Sequence, residues 1–452
     1  MSSKHQPIII SAYDFFYRYL SPVEVSLFAP GDANPVSFLP LPIPVASFTV
    51  PSDAGLTALA ARQASPSSTP WPQTCHSPFN FRWAGQHNDD LSQRTYLLTN
   101  WDALIDVVKQ LSGDPACVYQ GDFHAGGRHI VRRIGLPQKG GSWIARIPTI
   151  PAPFDSDDIR RWWTSEEKFA MESEIATMRY VAQHTDVPVP EVFGYETGMD
   201  RSPVGLPYLL MQCIGGNMLF DLGGPGVLTD EQRAKIRRSV ASIQCKLMDA
   251  PLTQLGSLIL KPDGGIDIGP LPAAFGFEGP FRSTADYFLS WARHNTTFKN
   301  SHLLGAHPSL RQAAQAFPRR LASTVESLVS PEHSGDGAYP ILHPDFLMHN
   351  ILLDDDYEVV GIIDWEYAHS APVEVFAART NMYASFSPDL ATSEWHDDDD
   401  EGARYAADVE AIPSQKLSGV FGSLLGDVGL CMRLFEEGVA VPFDRVLDPA
   451  WR

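Results

Sequence analysis

Residues 341–366, ILHPDFLMHNILLDDDYEVVGIIDWE, contain two short apolar segments joined by an acidic turn. The segments NILL and EVVGIID on either side of DDDY are typical of a β-hairpin. Asn350 lies where the first strand begins, and Asp364 lies just after the second strand ends. Paired strands place both side chains at the same end of the ribbon, and Asp345 precedes them on a loop. The pattern therefore predicts that three polar side chains face one place.

This combination of side chains suits phosphoryl transfer. A carboxylate oxygen and an amide oxygen are hard ligands that bind Mg²⁺, so we expect Asp364 and Asn350 to hold one cation. A lone carboxylate beside a metal-bound phosphate can orient a hydroxyl nucleophile and accept its proton, which is the role expected of Asp345. The spacing H-x-D-x-x-x-x-N is a weak motif by itself, and the flanking apolar strands make it more specific.

The rest of the chain divides into three parts by composition and pattern. Residues 1–90 are rich in Pro and Ser and form an N-terminal extension. Residues 91–213 predict a strand-rich unit, in which strands over CVYQGDFHAGGRHIVRRI, GSWIARIPTI, VPEVFGYE and PYLLMQCI surround a helix over TSEEKFAMESEIATMRYVAQHT. Residues 214–452 predict a mainly helical unit with helices at 229–249, 284–294 and 308–329, interrupted by the hairpin.

Charge and cysteine content exclude several classes of partner. The formal net charge of −20 and the pI near 5.0 disfavour nucleic acid and anionic membrane surfaces. Five scattered cysteines without a C-x-x-C pair predict reduced thiols and a cytoplasmic location. No apolar run approaches the roughly 18 residues of a membrane helix. The acidic run 395–401, WHDDDDE, predicts a solvated loop, with a metal or cationic-partner site as the alternative.

The stretch LHPDFLMHNILLDDDYEVVGIIDWE, followed by APVEVF, resembles the catalytic loop and metal hairpin of the aminoglycoside phosphotransferase family. The resemblance is close over 341–376 and looser but collinear over about 100–340. It implies an α+β, bilobal, protein-kinase-like fold with a strand-rich N-lobe and a mainly helical C-lobe. It also implies Asp345 as the catalytic base, supported by His343, with Asn350 and Asp364 as the Mg²⁺ ligands.

The resemblance further implies an ATP site in the strand-rich half. WIARIP resembles the strand that carries the ATP-binding lysine, but Arg146 stands there and is the expected phosphate ligand; a solvated strand arginine is the alternative. Glu174 matches the helix glutamate that pairs with this cation, and Glu172 is its competitor. The phosphate-covering turn comprises Gly121, Gly126 and Gly127, and an ordinary hairpin is the alternative for it. The hinge that contacts adenine comprises Met211, Gln212 and Cys213.

The sequence leaves alternative roles for two residues near the motif. Glu366 can reach substrate or metal, or can hold Trp365 in place. His349 suits packing of the loop better than catalysis. The helices beyond about residue 384 resemble the family only vaguely, and in this family they help to shape the substrate pocket, so the acceptor molecule is not specified.

The expected function is that of a small-molecule kinase, which moves the γ-phosphate of ATP to a hydroxyl group of its acceptor. Cationic molecules are among the expected acceptors, and the sequence indicates no protein partner. The alternative is a nucleotide-binding pseudokinase or regulatory module, which the arginine at 146 favours and the complete set of base and metal ligands disfavours. A protein kinase is disfavoured because H-R-D and D-F-G…A-P-E are absent from the sequence, and no P-loop motif occurs.

Overall fold

A computed structural model describes eight stretches of the chain, namely residues 89–126, 128–151, 162–218, 228–250, 252–294, 338–346, 349–378 and 399–412. The predicted N-terminal extension lies outside the described residues apart from its last two positions, which open the first helix. The helix expected at 308–329 and Gly127 of the phosphate-covering turn also lie outside them.

The N-terminal part is built on a five-stranded antiparallel sheet with strand order β1-β2-β3-β5-β4. All the strands expected from the sequence are present, because each alternates or runs apolar between glycine- or proline-containing turns. The elements in chain order are α1 (Asp89–Leu98), α2 (Trp101–Ser112), β1 (Val118–Ala125), β2 (His129–Gly135), β3 (Ser142–Pro148), α3 (Ser165–His184), β4 (Val192–Glu196) and β5 (Tyr208–Gln212).

The C-terminal part combines helices with short strands. The predicted hairpin is present and pairs with the strand that follows the hinge, giving the order β11-β10-β6. Two further antiparallel pairs, β7 with β8 and β9 with β12, correct the expectation of a single hairpin among helices. The elements are β6 (Asn217–Met218), α4 (Asp230–Asp249), β7 (Leu258–Leu260), β8 (Ile266–Ile268), α5 (Thr284–His294), β9 (Ile341–Leu342), β10 (Ile351–Leu353), β11 (Val359–Ile362), β12 (His369–Ser370), α6 (Val373–Ala378) and α7 (Asp399–Glu410).

Local side-chain chemistry fixes where the main helices begin. Thr229 and Gln232 form a complete capping box at the start of α4, with reciprocal bonds of 3.2 and 2.8 Å. The Thr164 hydroxyl accepts from the backbone N–H of Glu167 at the start of α3. Each cap satisfies backbone donors that the first helical turn leaves unpaired. Both helices therefore begin where the sequence pattern predicted, since Thr164 and Thr229 open the two predicted helical segments.

Two hydrophobic clusters support the two-lobed α+β architecture. The smaller cluster joins α2 to the sheet, through residues such as Leu104, Ile130 and Trp143. The larger cluster joins α3 and α4 to the hairpin, and Trp365 lies fully buried in it. Because α3 belongs to the larger cluster while it follows the sheet strand β3, it connects the two lobes. This places Glu174 of α3 between the sheet and the hairpin.

The described residues also bear on the predictions for the acidic run, the cysteines and membrane-spanning helices. The acidic run does not form a loop throughout, since its last three residues, 399–401, begin α7. Cys117, Cys213 and Cys245 are buried free thiols, as predicted. Within the described stretches, no helix has the length and apolar character needed to cross a membrane.

Candidate active site

The hairpin brings the predicted metal ligands to the same end of the ribbon. Ile351 of β10 pairs with Ile362 of β11, and beyond this pair the Ile363 N–H donates to the Asn350 carbonyl at 3.0 Å. The last hydrogen bond between the two strands therefore joins Asn350 to the residue directly before Asp364. Strand β10 and the second half of β11, which lie next to these residues, are buried, so the packing of the larger core fixes the position of both residues.

His343 joins the catalytic loop to the hairpin. Its Nδ1 accepts the backbone N–H of Asp345 at 3.2 Å, so the proton of a neutral ring is on Nε2. Nε2 lies 3.0 Å from the Ile363 carbonyl and donates to it. The ring is buried and packs edge-on against Trp365, with centroids 4.7 Å apart. His343 thereby holds the backbone of the loop against the segment that carries Asp364.

The Asp345 carboxylate is oriented by partners from its own loop. Its Oδ2 accepts from Asn350 Nδ2 at 2.9 Å and from His349 Nε2 at 2.8 Å. Asn350 Nδ2 also donates to the Asp345 carbonyl at 2.9 Å. The contact from His349 is one that the sequence did not predict, because loop packing was the favoured role for this histidine. The available signal was a histidine directly before Asn350, the predicted metal ligand.

Asp364 is held by Arg146 of β3. Arg146 Nη2 lies 2.5 Å from Asp364 Oδ1, and Arg146 Nη1 donates to Glu174 Oε1. The competitor Glu172 instead accepts a hydrogen bond from Thr197 and pairs with Lys168. Glu174 is therefore the glutamate of α3 that pairs with Arg146. A buried arginine between two carboxylates is not the solvated strand arginine of the alternative expectation.

The backbone of Asp364 has a left-handed conformation, with φ of +64°. Few residues other than glycine adopt this conformation, and Asp and Asn are among the most tolerant of it. Such outliers persist only where the surrounding structure imposes them. Here the buried Trp365 on one side and the ladder bond of Ile363 on the other fix the chain, and the turn presents the carboxylate to Arg146.

Burial and neighbouring charges act against each other in this cluster. Burial alone would lower the pKa of Arg146, but the carboxylates of Glu174, Asp364 and Glu366 outweigh it and raise that pKa, so the guanidinium is always charged. Burial raises the pKa of Glu174, against the lowering effect of Arg146. Burial also places the pKa of His129 well below its ordinary value, and the charge of Arg146 adds to this effect.

Glu366 pairs with residues at the start of β2. Its carboxylate lies 3.4 Å from Arg128 Nε, 3.3 Å from His129 Nε2 and 3.9 Å from Arg146 Nη2. His129 Nδ1 in turn lies 3.0 Å from Arg146 Nη2 and accepts from it, since the ring is neutral. Glu366 thus links the N-lobe to the hairpin segment, which neither of the roles considered from the sequence included.

Of the glycines expected to cover the phosphates, Gly121 lies within β1 and Gly126 directly follows that strand. Gly121 has φ of +73° at an irregularity in the pairing of β1, so a side chain there would be strained although the space is open. Gly126 donates its N–H to the His129 carbonyl at 2.8 Å, and an added Cβ would make only ordinary contact. Their approach to phosphates stays a prediction.

The hinge residues Met211, Gln212 and Cys213 connect β5 to the C-lobe. The Gln212 N–H donates to the Glu191 carbonyl at 2.8 Å, and the Cys213 N–H donates to the Ser142 carbonyl at 3.1 Å. These two donors are therefore engaged within the protein. A contact of this segment with adenine stays a prediction, and in this arrangement it would not use either of those N–H groups.

The donor set at the hairpin suits a hard divalent cation. Asn350 Nδ2 is committed to Asp345, so Oδ1 is the amide atom that can act as a ligand, beside the carboxylate of Asp364. In the parts of the chain that the structure describes, no group of three or more His, Cys, Asp and Glu side chains could hold a metal. Two oxygen ligands suit Mg²⁺, which completes its shell with phosphate oxygens and water.

The two-lobed fold and this set of polar residues agree with the phosphotransferase class that the sequence motif indicated. A family model described as the phosphotransferase enzyme family matches residues 83–375, and the chain belongs to that family. The resemblance found in the sequence is thereby confirmed, since the match includes the catalytic loop and the hairpin.

Individual relatives are more distant. A subtelomeric hrmA-associated cluster protein of Aspergillus fumigatus is 32% identical over 127 residues, which are 28% of this chain and 22% of that protein. Clavilactone A biosynthesis cluster protein Y of Ampulloclitocybe clavipes is 24% identical over 249 residues, which are 52% of this chain and 57% of that protein. A solved structure of Plasmodium vivax ethanolamine kinase has 13% identity and a TM-score of 0.41, covering 74% of this chain and 78% of that one.

Proposed function

We propose that this protein transfers the γ-phosphate of ATP to a hydroxyl group of a small molecule, with Asp345 as the base and Mg²⁺ bound by Asn350 and Asp364. One observation carries the proposal. Asn350 is bonded both to the Asp345 carboxylate, through Nδ2, and to the backbone beside Asp364, through its carbonyl. A proton acceptor and two hard ligands joined through one residue are what in-line phosphoryl transfer requires.

In the proposed reaction, Asp345 accepts the proton of the acceptor hydroxyl. The hydroxyl oxygen forms a bond to the γ-phosphorus while the bond from that phosphorus to the bridging oxygen of the β-phosphate breaks, and ADP leaves with the electron pair. His343 and His349 keep the loop and the carboxylate in place during this step, since they bond to the Asp345 backbone and side chain. Bound Mg²⁺ supplies neutralisation of the charge on the phosphate oxygens.

Arg146 takes the role of the phosphate-binding cation in this proposal. The guanidinium is 8% exposed, is fixed by Glu174 and reaches the segment of Asp364, so it lies at the boundary between the two lobes. A guanidinium can donate two parallel hydrogen bonds to phosphate oxygens, which an ammonium cannot. The arginine therefore substitutes for the lysine of related kinases with a different geometry.

The test is an ATP-consumption screen of the full chain against a library of hydroxylated metabolites, with and without Mg²⁺. Asp345→Asn is the matched control, because it keeps the size of the side chain and removes the base. At least one acceptor should give Mg²⁺-dependent turnover that falls by roughly 10²–10⁴ in the control. ATP binding with no turnover of any acceptor class would contradict the proposal and support a nucleotide-binding module.

A further inference from the structure

Arg146 and Asp364 form a direct pair between the lobes. The contact is 2.5 Å from Nη2 to Oδ1, which is short for a charge-assisted hydrogen bond. The arginine side chain is 8% exposed, whereas the aspartate side chain is 40% exposed. The guanidinium therefore approaches the carboxylate from the protein interior, while the carboxylate itself remains accessible to solvent ions.

A guanidinium and a divalent cation cannot both bind this carboxylate at full strength. A ligand oxygen lies about 2.0–2.1 Å from Mg²⁺, which would bring the two cations within a few ångströms of each other. Their repulsion is weakly screened, because the distance between them is well below the Debye length and the arginine side chain is buried. We infer that Arg146 competes with the divalent cation for Asp364 and so sets the affinity of the metal site, an inference that rests on the proposed function.

The surroundings of Arg146 allow this exchange. Nη1 stays bonded to Glu174, while Nη2 lies 3.0 Å from His129 Nδ1 and 3.9 Å from Glu366 Oε1. When a cation takes Asp364, Nη2 keeps these other partners. The buried guanidinium is then never left unpaired, which would be strongly unfavourable. Glu366 is thus the alternative acceptor that makes release of Asp364 possible.

The exchange couples the metal to the phosphates. A phosphate that binds Arg146 draws the guanidinium away from Asp364 and improves metal binding, and by linkage the metal improves phosphate binding by the same factor. Arg146 then weakens binding of the metal alone and strengthens binding of the metal together with the nucleotide. A residue that only stabilised the fold would not have effects of opposite sign.

The test is a titration of the full chain with Mn²⁺ alone, followed calorimetrically, without nucleotide or acceptor. Arg146→Met should tighten Mn²⁺ binding by about tenfold, the equivalent of one charge-assisted hydrogen bond released from the carboxylate. Arg201→Met is the control, because it removes an equal charge from a half-exposed N-lobe arginine that pairs only with Glu196 among the ion pairs described; its affinity should match wild type. Equal or weaker binding by Arg146→Met would overturn the inference.

A second pair of variants leaves Arg146 in place, in case its substitution prevents folding. Glu366→Gln removes the negative charge of the alternative partner and leaves only a neutral amide oxygen, so Arg146 should hold Asp364 more firmly and Mn²⁺ binding should weaken about threefold. Glu358→Gln is the control on the same hairpin, since Glu358 is half-exposed and pairs with Lys235. If the two glutamine variants bind Mn²⁺ alike, the inference is wrong even when Arg146→Met cannot be measured.

Asp364→Asn separates this inference from the proposed function. If Asp364→Asn loses Mn²⁺ binding and Arg146→Met shows no gain in Mn²⁺ affinity, the competition is overturned but Asp364 remains the metal ligand. If the gain in Mn²⁺ affinity persists in the double variant Arg146→Met, Asp364→Asn, Mn²⁺ binds elsewhere. This outcome overturns both the competition and the assignment of Asp364 to the metal. A gain in Arg146→Met that is lost in the double variant supports both.

Discussion

Asp345 and Asp364 belong to the one site that we propose, but the protein holds them by different means. Asp345 is oriented by Asn350 and His349, which lie within five residues of it on the same loop. Asp364 is held by Arg146, which is 218 residues away in the sequence and belongs to the other lobe. The proposed base is thus positioned by local structure, and the proposed metal ligand by the packing of one lobe on the other.

This difference predicts which changes affect which step. Substitutions in the N-lobe should alter the binding of metal and nucleotide and leave the geometry around Asp345 intact. Substitutions in the loop should alter turnover first. Asn350 is the exception, because it contacts Asp345 and also lies beside the backbone of Asp364. The predictions below test this division.

The largest effect is expected for Asp345→Asn. Turnover with the acceptor found in the screen should fall by roughly 10²–10⁴, the usual contribution of a positioned base. The affinity for ATP should change little, because no N-lobe contact is removed. Steady-state kinetics at saturating ATP measure the loss. A variant that retains wild-type turnover would exclude Asp345 as the base.

Asn350→Ala should affect both carboxylates. It removes the donor to Asp345 and the amide oxygen offered to the metal, so turnover should fall and the Mg²⁺ requirement should rise, each by about 10- to 100-fold. The measurement is turnover as a function of Mg²⁺ concentration. If only one of the two quantities changed, Asn350 would not connect the two halves of the site as described.

Arg146→Lys should weaken ATP binding by about 1–2 kcal/mol, because the ammonium keeps the charge and loses the paired geometry of the guanidinium. Glu174→Gln should weaken it as well, since Glu174 orients the guanidinium. Glu172→Gln is the matched control on the same helix, where the side chain contacts Thr197 and Lys168 instead. Calorimetry with ATP measures all three, and equal effects of the two glutamine variants would remove Glu174 from the site.

The smallest effect concerns a carboxylate outside the site. Burial is the largest single influence on Glu278 and raises its pKa, but hydrogen bonds from Arg293, His294 and Ser290 together outweigh it and lower that pKa to about 2. Because the folded pKa lies below the unfolded value near 4.5, the stabilisation is present above pH 4.5 and is lost as the pH falls towards 2.

Glu278→Gln should therefore lower the melting temperature more at pH 6 than at pH 3, and should leave turnover unchanged. Thermal unfolding of both proteins across this range provides the comparison. The same difference in melting temperature at both pH values would show that the carboxylate is not the source of the effect.

The same contrast explains what could be predicted from the sequence. The hairpin after Asn350 depends on contacts close in sequence, so the apolar runs on either side of its acidic turn predicted it correctly. The caps of α3 and α4 were predictable for the same reason. The pairs β7–β8 and β9–β12 were not, because strands of two or three residues are too short to show a period.

Long-range ion pairs are the other part that the sequence did not specify. Glu172 and Glu174 could both pair with Arg146 on pattern alone, and only the orientation of α3 decides between them. The contacts of Glu366 with Arg128 and His129 join segments far apart in the chain. No periodic pattern encodes such contacts, since they depend on how the lobes pack together.

The central claim, that two carboxylates of one site have separate tasks, is tested most directly by titrating Mg²⁺ and ATP into Asp345→Asn and Asp364→Asn. The two substitutions remove the same charge and keep the same shape. The account predicts that Asp345→Asn binds the metal–nucleotide complex within about threefold of wild type, while Asp364→Asn loses Mg²⁺-dependent binding. Equal losses in both variants, or undiminished binding by Asp364→Asn, would contradict it.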